Sequence, residues 1–211
     1  MLVPTPTGTA RVIANLAVRP RRTVVLGHGA GGGVEARDLA ALAAALPPQR
    51  VNVLRVEQPW RFAGGRVAPA PARLDVAWTA VLAELTRSRP GWLDGTVIVG
   101  GRSAGARVAC RTARSTGAAA VLALAFPLHP PGRPEVSRAD ELLGAGLPTL
   151  VVQGDRDPFG NAASLPAAIQ SVTMPYADHG FAVPKSAPLT QSETLERLTA
   201  AVAWWLWELP S

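Results

Sequence analysis

The chain has 211 residues, 48% of them apolar, with 20 Gly and 20 Pro, which fits one folded domain and excludes a disordered or collagen-like chain. Cys110 is the one cysteine and the three histidines are scattered, so the spacing offers neither an internal disulfide nor a zinc or other metal site. The net charge of +6 and pI of about 11.1 invite a polyanion partner, but all except Lys185 of the 21 basic residues are Arg and they are dispersed, which reads as a coding bias and not as a nucleic-acid interface.

In chain order, an edge strand is expected over residues 11–18 and a first central strand over 23–26, followed by a helix over 36–46 and a strand over 51–56. A Pro- and Gly-rich loop from Pro59 to Pro71 leads to a helix over 74–87, a fully apolar strand over 96–99 and a helix over 104–115. A strand over 119–124, a second Pro-rich loop from Pro127 to Pro134 and a weak helix near 138–143 come next. Then follow a strand over 149–152, a helix near 162–170 and a strand over 171–174. Thr190 and Glu193 form a capping box for the last helix, whose Leu195, Leu198, Val202, Trp205 and Leu209 share one stripe. This alternation predicts one α/β domain over 1–211, with a mostly parallel sheet of about seven strands and helices on both faces. The first residues do not read as a signal peptide, and residues 200–209 are too short for a bilayer and carry Glu208, so no membrane association and a cytoplasmic location are expected.

In such a sheet the loops after strands carry ligands. Strand 96–99 runs into Gly100-Gly101-Arg102-Ser103-Ala104-Gly105 and then a helix, the Gly-x-Ser-x-Gly signature of a nucleophile elbow. A nucleophilic Ser needs this sharp turn, with small neighbours to let the backbone pass, and the helix start turns the Ala104 amide toward charge forming at Ser103. A Gly-rich turn with an N-capping Ser is the alternative. The earlier loop Gly27-His28-Gly29-Ala30-Gly31-Gly32-Gly33 suits the second half of an oxyanion hole, with Ala30 as donor and the His28 ring ordering the loop. The same segment matches Gly-x-Gly-x-x-Gly, with Glu57 placed as a ribose acceptor, but a dinucleotide site would leave residues 101–105 unexplained.

A Ser nucleophile in this fold calls for an acid and then a His further along the chain. Strand 149–152 leads to Asp155-Arg156-Asp157 and strand 171–174 to Asp178-His179-Gly180. His179 is the expected base, and Asp157 is preferred to Asp155 because the loop needs residues in which to turn back. His129 is read as a loop or pocket residue, and Trp60, Arg61, Arg102 and His28 as further candidates to line the pocket. Arg107, Arg111 and Arg114 recur at helical spacing and are expected to form a solvated face. Cys110 reads as an inert core thiol. Trp204, Trp205 and Trp207 cannot all face the sheet, and an exposed one would mark a dimer or partner patch.

Together the Gly-rich loop, the Gly-Arg-Ser-Ala-Gly elbow, the segment Phe126 to Gly132, the segment Gln153 to Gly160 and Asp178-His179-Gly180-Phe181 resemble the KANL/Tex-type α/β-hydrolases over nearly the whole chain. These are small, capless, dienelactone-hydrolase-like proteins, and some eukaryotic relatives serve as complex subunits. The resemblance implies an α/β-hydrolase fold without a cap domain and a Ser hydrolase site. The expected activity is cleavage of small carboxylic esters or thioesters through Ser103, His179 and Asp157, with the Ala30 and Ala104 amides as oxyanion hole and no cofactor. The alternative is a hydrolase-shaped interaction module without turnover. No insertion large enough for a lid follows strand 119–124, so an open, shallow pocket is expected.

Overall fold

The computed structural model describes residues 1–210. Eight strands form one sheet in the order β1-β2-β4-β3-β5-β6-β7-β8. They are β1 (Leu2–Thr5), β2 (Gly8–Asn15), β3 (Arg22–Gly27), β4 (Val51–Glu57), β5 (Thr96–Arg102), β6 (Ala120–Leu124), β7 (Thr149–Gly154) and β8 (Gln170–Met174). The pairs from β4 through β8 are parallel, while β1 and β2 form an antiparallel hairpin whose second strand runs against β4.

The parallel strands are apolar on both faces because helices cover both. Alternate residues divide cleanly. Val25, Val99, Val121 and Val151 pack under α3 (Pro71–Ser88) and α4 (Ala104–Thr112), where Trp78, Val81, Leu85 and Val108 complete one core. Val24, Leu26, Ile98, Leu122 and Leu150 face α1 (Arg37–Ala45) and α6 (Gln191–Glu208), with Leu39, Leu42, Leu198 and Val202. The period of two along each strand thus sorts the core into two layers. α6 starts at the expected capping box, the Thr190 side chain accepting from the Glu193 amide and the Glu193 carboxylate taking the Thr190 amide.

Several expectations give way. The sheet has eight strands, and the edge is β1, not the strand anticipated at 11–18, which begins and ends earlier as β2. Pro4 hides β1 in the sequence, yet an edge strand tolerates proline because one of its sides makes no ladder bonds. The helix anticipated near 162–170 is a single 3₁₀ turn, Ala162–Ser164. Pro166 is the reason, since it drives Leu165 into the extended region, where it has ψ 151°. The loop beginning at Pro59 contains a short helix, α2 (Pro59–Phe62), and α5 (Ala139–Leu143) stands in the β6–β7 connection with no inserted cap domain.

The Arg face of α4 is not simply solvated. Arg107 and Arg111 make paired hydrogen bonds to Glu141 and Asp75, and their side chains are only 20% and 19% exposed, so they tie α4 to α5 and α3. Cys110 is buried among apolar side chains, and burial pushes its thiol up to about 12. Of the three tryptophans near the chain's end, Trp205 is buried while Trp204 and Trp207, on one side of α6, are 69% and 62% exposed.

Candidate active site

The carboxyl ends of β3, β5, β7 and β8 deliver the four loops singled out in the sequence. Ser103 joins β5 directly to α4 with φ 54° and ψ −111°, a backbone conformation that a non-glycine residue keeps only when its surroundings hold it. Its amide donates to the Leu124 carbonyl at 2.9 Å and its carbonyl accepts from Arg107 at 3.1 Å. The turn passes so close to β3 that a Cβ on Gly101 would lie 2.5 Å from the Gly27 oxygen, and one on Gly105 2.4 Å from the same atom. Glycine at both places is therefore a packing requirement.

The Ser103 hydroxyl lies 2.9 Å from His179 Nε2, and His179 Nδ1 lies 2.7 Å from Asp157 Oδ2. The Asp157 side chain is fully buried. Gln153 Nε2 donates to its Oδ2 at 2.9 Å, and the Phe159 amide donates to its Oδ1 at 2.8 Å. The Phe159 ring meets the His179 imidazole edge-on at 4.6 Å. Asp155 is exposed on the same loop. A hydroxyl, an imidazole and a buried carboxylate in one hydrogen-bonded line can move the hydroxyl proton onto the imidazole and stabilise the resulting imidazolium. Gln153 and Phe159, to which the sequence reading gave no role, fix the carboxylate; a polar residue at the carboxyl end of a wholly buried strand was the available signal.

The loop after β3 lies against Ser103, for a Cβ on Gly29 would stand 3.4 Å from Ser103 Cβ. Buried His28 sits between two backbone groups: the Gln58 amide donates to its Nε2 at 3.1 Å, which assigns the ring proton to Nδ1, 2.8 Å from the Gly29 carbonyl. That carbonyl and the Ala30 amide share one planar peptide and point opposite ways, so His28 sets the direction of the Ala30 N–H. The Ala30 amide makes no hydrogen bond within its loop. Ala104, as first residue of α4, has no acceptor one turn back in the helix. Both amides are free to receive an anion.

A cavity of about 10 Å³, space for about one water molecule, lies beside these amides and is lined by His28, Ala30, Trp60, Trp78, Ala104 and Val108, among others. α2 carries Trp60 into its lining, 5.6 Å from the His28 ring. The other pocket candidates lie elsewhere. Arg61 runs past Gly33 and donates to the Gly65 carbonyl, His129 Nδ1 meets the Val136 carbonyl at 3.0 Å, and Arg102 reaches the His179 loop. Glu57 is buried and ion-paired to Arg11 at 2.9 Å, which occupies the group a dinucleotide ribose would need. Among the described residues no cluster of His, Cys, Asp and Glu could hold a metal ion, and no helix is long and apolar enough to cross a membrane.

Burial lowers the His28 pKa below its ordinary 6.5, against opposing pulls from the Gly29 carbonyl and Glu57. Native His28 then binds its proton less readily than the unfolded chain does. The stability this difference contributes is present in full above pH 6.5 and is lost as the pH falls below it. The thermal unfolding midpoint of the native chain is expected to drop between pH 7 and pH 5.5, and that of His28→Asn, lower at pH 7, to drop less over the same interval. An equal or steeper drop in the variant would contradict the neutral-ring assignment.

A doubly covered, largely parallel sheet with a Ser elbow and the Ser, Asp, His order at its carboxyl edge defines an α/β-hydrolase. Residues 20–206 match the family model described as "Alpha/beta hydrolase domain", and the chain belongs to that family. Among solved structures it is similar to an alpha-beta serine hydrolase homologue from Coxiella burnetii, at TM-score 0.75 and 18% identity over 98% of this chain and 96% of the other. It is similar also to a serine hydrolase without lid from Xanthomonas campestris, at 0.72 and 19% over 100% and 95%. Dienelactone hydrolase from Anabaena variabilis follows at 0.74 and 17% over 100% and 97%. No match to a curated protein reaches significance.

Proposed function

We propose that the chain is a serine hydrolase that cleaves small carboxylic esters or thioesters. The observation that carries this reading is the unbroken line from Ser103 through His179 to buried Asp157. Ser103 Oγ attacks the acyl carbon and gives its proton to His179 Nε2. The Ala30 and Ala104 amides take the oxyanion, and Asp157 holds the imidazole with its proton on Nδ1. Collapse of the tetrahedral intermediate passes the proton from His179 to the departing alcohol or thiol and leaves acyl-Ser103. Water then repeats the sequence, releasing the acid. No step calls on a cofactor. The small cavity beside the amides favours short acyl groups.

A second reading, an interaction module without turnover, draws on the exposed Trp204 and Trp207. They stand near the end of α6, where the Leu209 carbonyl meets Arg22 at the start of β3 and not at the site end of the sheet. A fluorophosphonate probe separates the two. Labelling of the native chain, absent in Ser103→Ala and His179→Ala of native unfolding midpoint, is the expected result. A folded native chain that stays unlabelled would reject the hydrolase reading and favour the module.

A further inference from the structure

Arg102 immediately precedes Ser103, yet its side chain lines no part of the cavity beside the oxyanion amides. It leaves the elbow in the direction of His179. One terminal nitrogen donates to the His179 carbonyl at 2.9 Å and would lie 3.2 Å from a Cβ on Gly180, while the other passes Gly32. On its far side Nε faces Asp38 Oδ2 at 3.6 Å. Asp38, near the start of α1, has a fully buried side chain; burial raises its pKa above the usual carboxylate range, and the Arg102 guanidinium, ahead of the Asp38 and Leu39 amides, is the strongest pull holding it in the charged form. Arg102 is thus the cation that faces a carboxylate withdrawn from water. A carboxylate withdrawn from water keeps its charge where a cation answers it, so Asp38 and the guanidinium hold one another in place, and the guanidinium holds the backbone of the residue whose ring reaches Ser103.

We propose that Arg102 and Asp38 form a positioning pair that keeps His179 in register with Ser103, bracing the imidazole from its backbone while Asp157 braces it from its ring. The pair rests on the reading of Ser103 and His179 as nucleophile and base. It links three segments: the elbow through Arg102 itself, the loop after β8 through the His179 carbonyl, and α1 through Asp38. Its role differs from that of a pocket residue. It touches no substrate, so its loss should appear in turnover and not in substrate affinity.

A cycle of variants separates positioning from plain structural support, read by fluorophosphonate labelling rate, kcat and KM on a short-chain ester, and unfolding midpoint. Arg102→Met leaves the Asp38 charge buried without its cation, and is expected to lower both the midpoint and kcat, the latter ~10–100-fold, with KM changed less than about threefold. Asp38→Asn in that background removes the stranded charge. The double variant should recover the native midpoint while kcat and labelling stay low. Arg102→Lys, whose ammonium reaches the carbonyl or the carboxylate but does not span both, should fold and fall between native and Arg102→Met in kcat, which keeps the test open should the methionine variant not fold. Recovery of kcat together with the midpoint in the double variant, or native kcat in Arg102→Lys, would reduce the pair to structural support and overturn the proposal. Failure of the native chain itself to label would instead overturn the hydrolase reading beneath it.

Discussion

Asp157→Asn is expected to lower ester turnover about 10⁴-fold while the unfolding midpoint stays near native, and Asp155→Asn to change turnover by less than about twofold. The reason lies in the donors around the carboxylate. The Phe159 amide requires an acceptor at the δ1 position, so an asparagine would set its oxygen there. Its NH₂ group would then face His179 Nδ1 and the Gln153 amide nitrogen. Nδ1 would have to accept, the ring proton would move to Nε2, and Nε2–H would face the Ser103 hydroxyl with no lone pair to take its proton. Asp155, exposed and without a bond to the imidazole, has no comparable lever. Steady-state kinetics of the two variants on one short-chain ester checks this. A loss in Asp155→Asn, with Asp157→Asn unaffected, would move the acid.

Much of this architecture is legible in the residues, because its signals are local. The Gly-x-Ser-x-Gly turn announces itself between an apolar strand and a helix, and the parallel strands after Thr23 show as short apolar runs bounded by Gly and Pro. The parts that escape are those made by chain segments meeting from afar. Asp38 looks like an ordinary acidic residue in the first turn of a helix until α1 and the elbow come together, and it is then fully buried against Arg102. Gln153 likewise acquires meaning only when its amide meets Phe126, Gly160 and Asp157 at once. Arg107 and Arg111 read as a solvated stripe because their partners, Glu141 and Asp75, lie on other helices. The β1 strand was hidden by Pro4, whose cost depends on whether a strand is central or at an edge.

The backbone crossing of β3 and α4 beneath the elbow gives the largest expected effect on folding. Gly105→Ala places a methyl 2.4 Å from the Gly27 oxygen, 2.5 Å from its carbonyl carbon and 2.9 Å from the His28 oxygen. These are backbone atoms of β3 and its loop, and no rotamer change relieves them. The sheet must part from α4, at a cost of about 3 kcal/mol, which for a chain of this length is a fall of roughly 10 °C in the midpoint. The same displacement moves the loop bearing Ala30 away from Ser103, so labelling should be lost along with stability. Gly29→Ala supplies the contrast. Its methyl would meet Ser103 Cβ at 3.4 Å and Oγ at 4.0 Å, ordinary contact distances. That variant should unfold within roughly 2 °C of native and yet label more slowly, because the methyl fills space over the hydroxyl that an incoming acyl group must occupy. If Gly105→Ala kept the native midpoint, the tight crossing of β3 and α4 would not be what holds the elbow in its strained conformation. If both variants labelled at the native rate, the loop after β3 would have no part in the reaction.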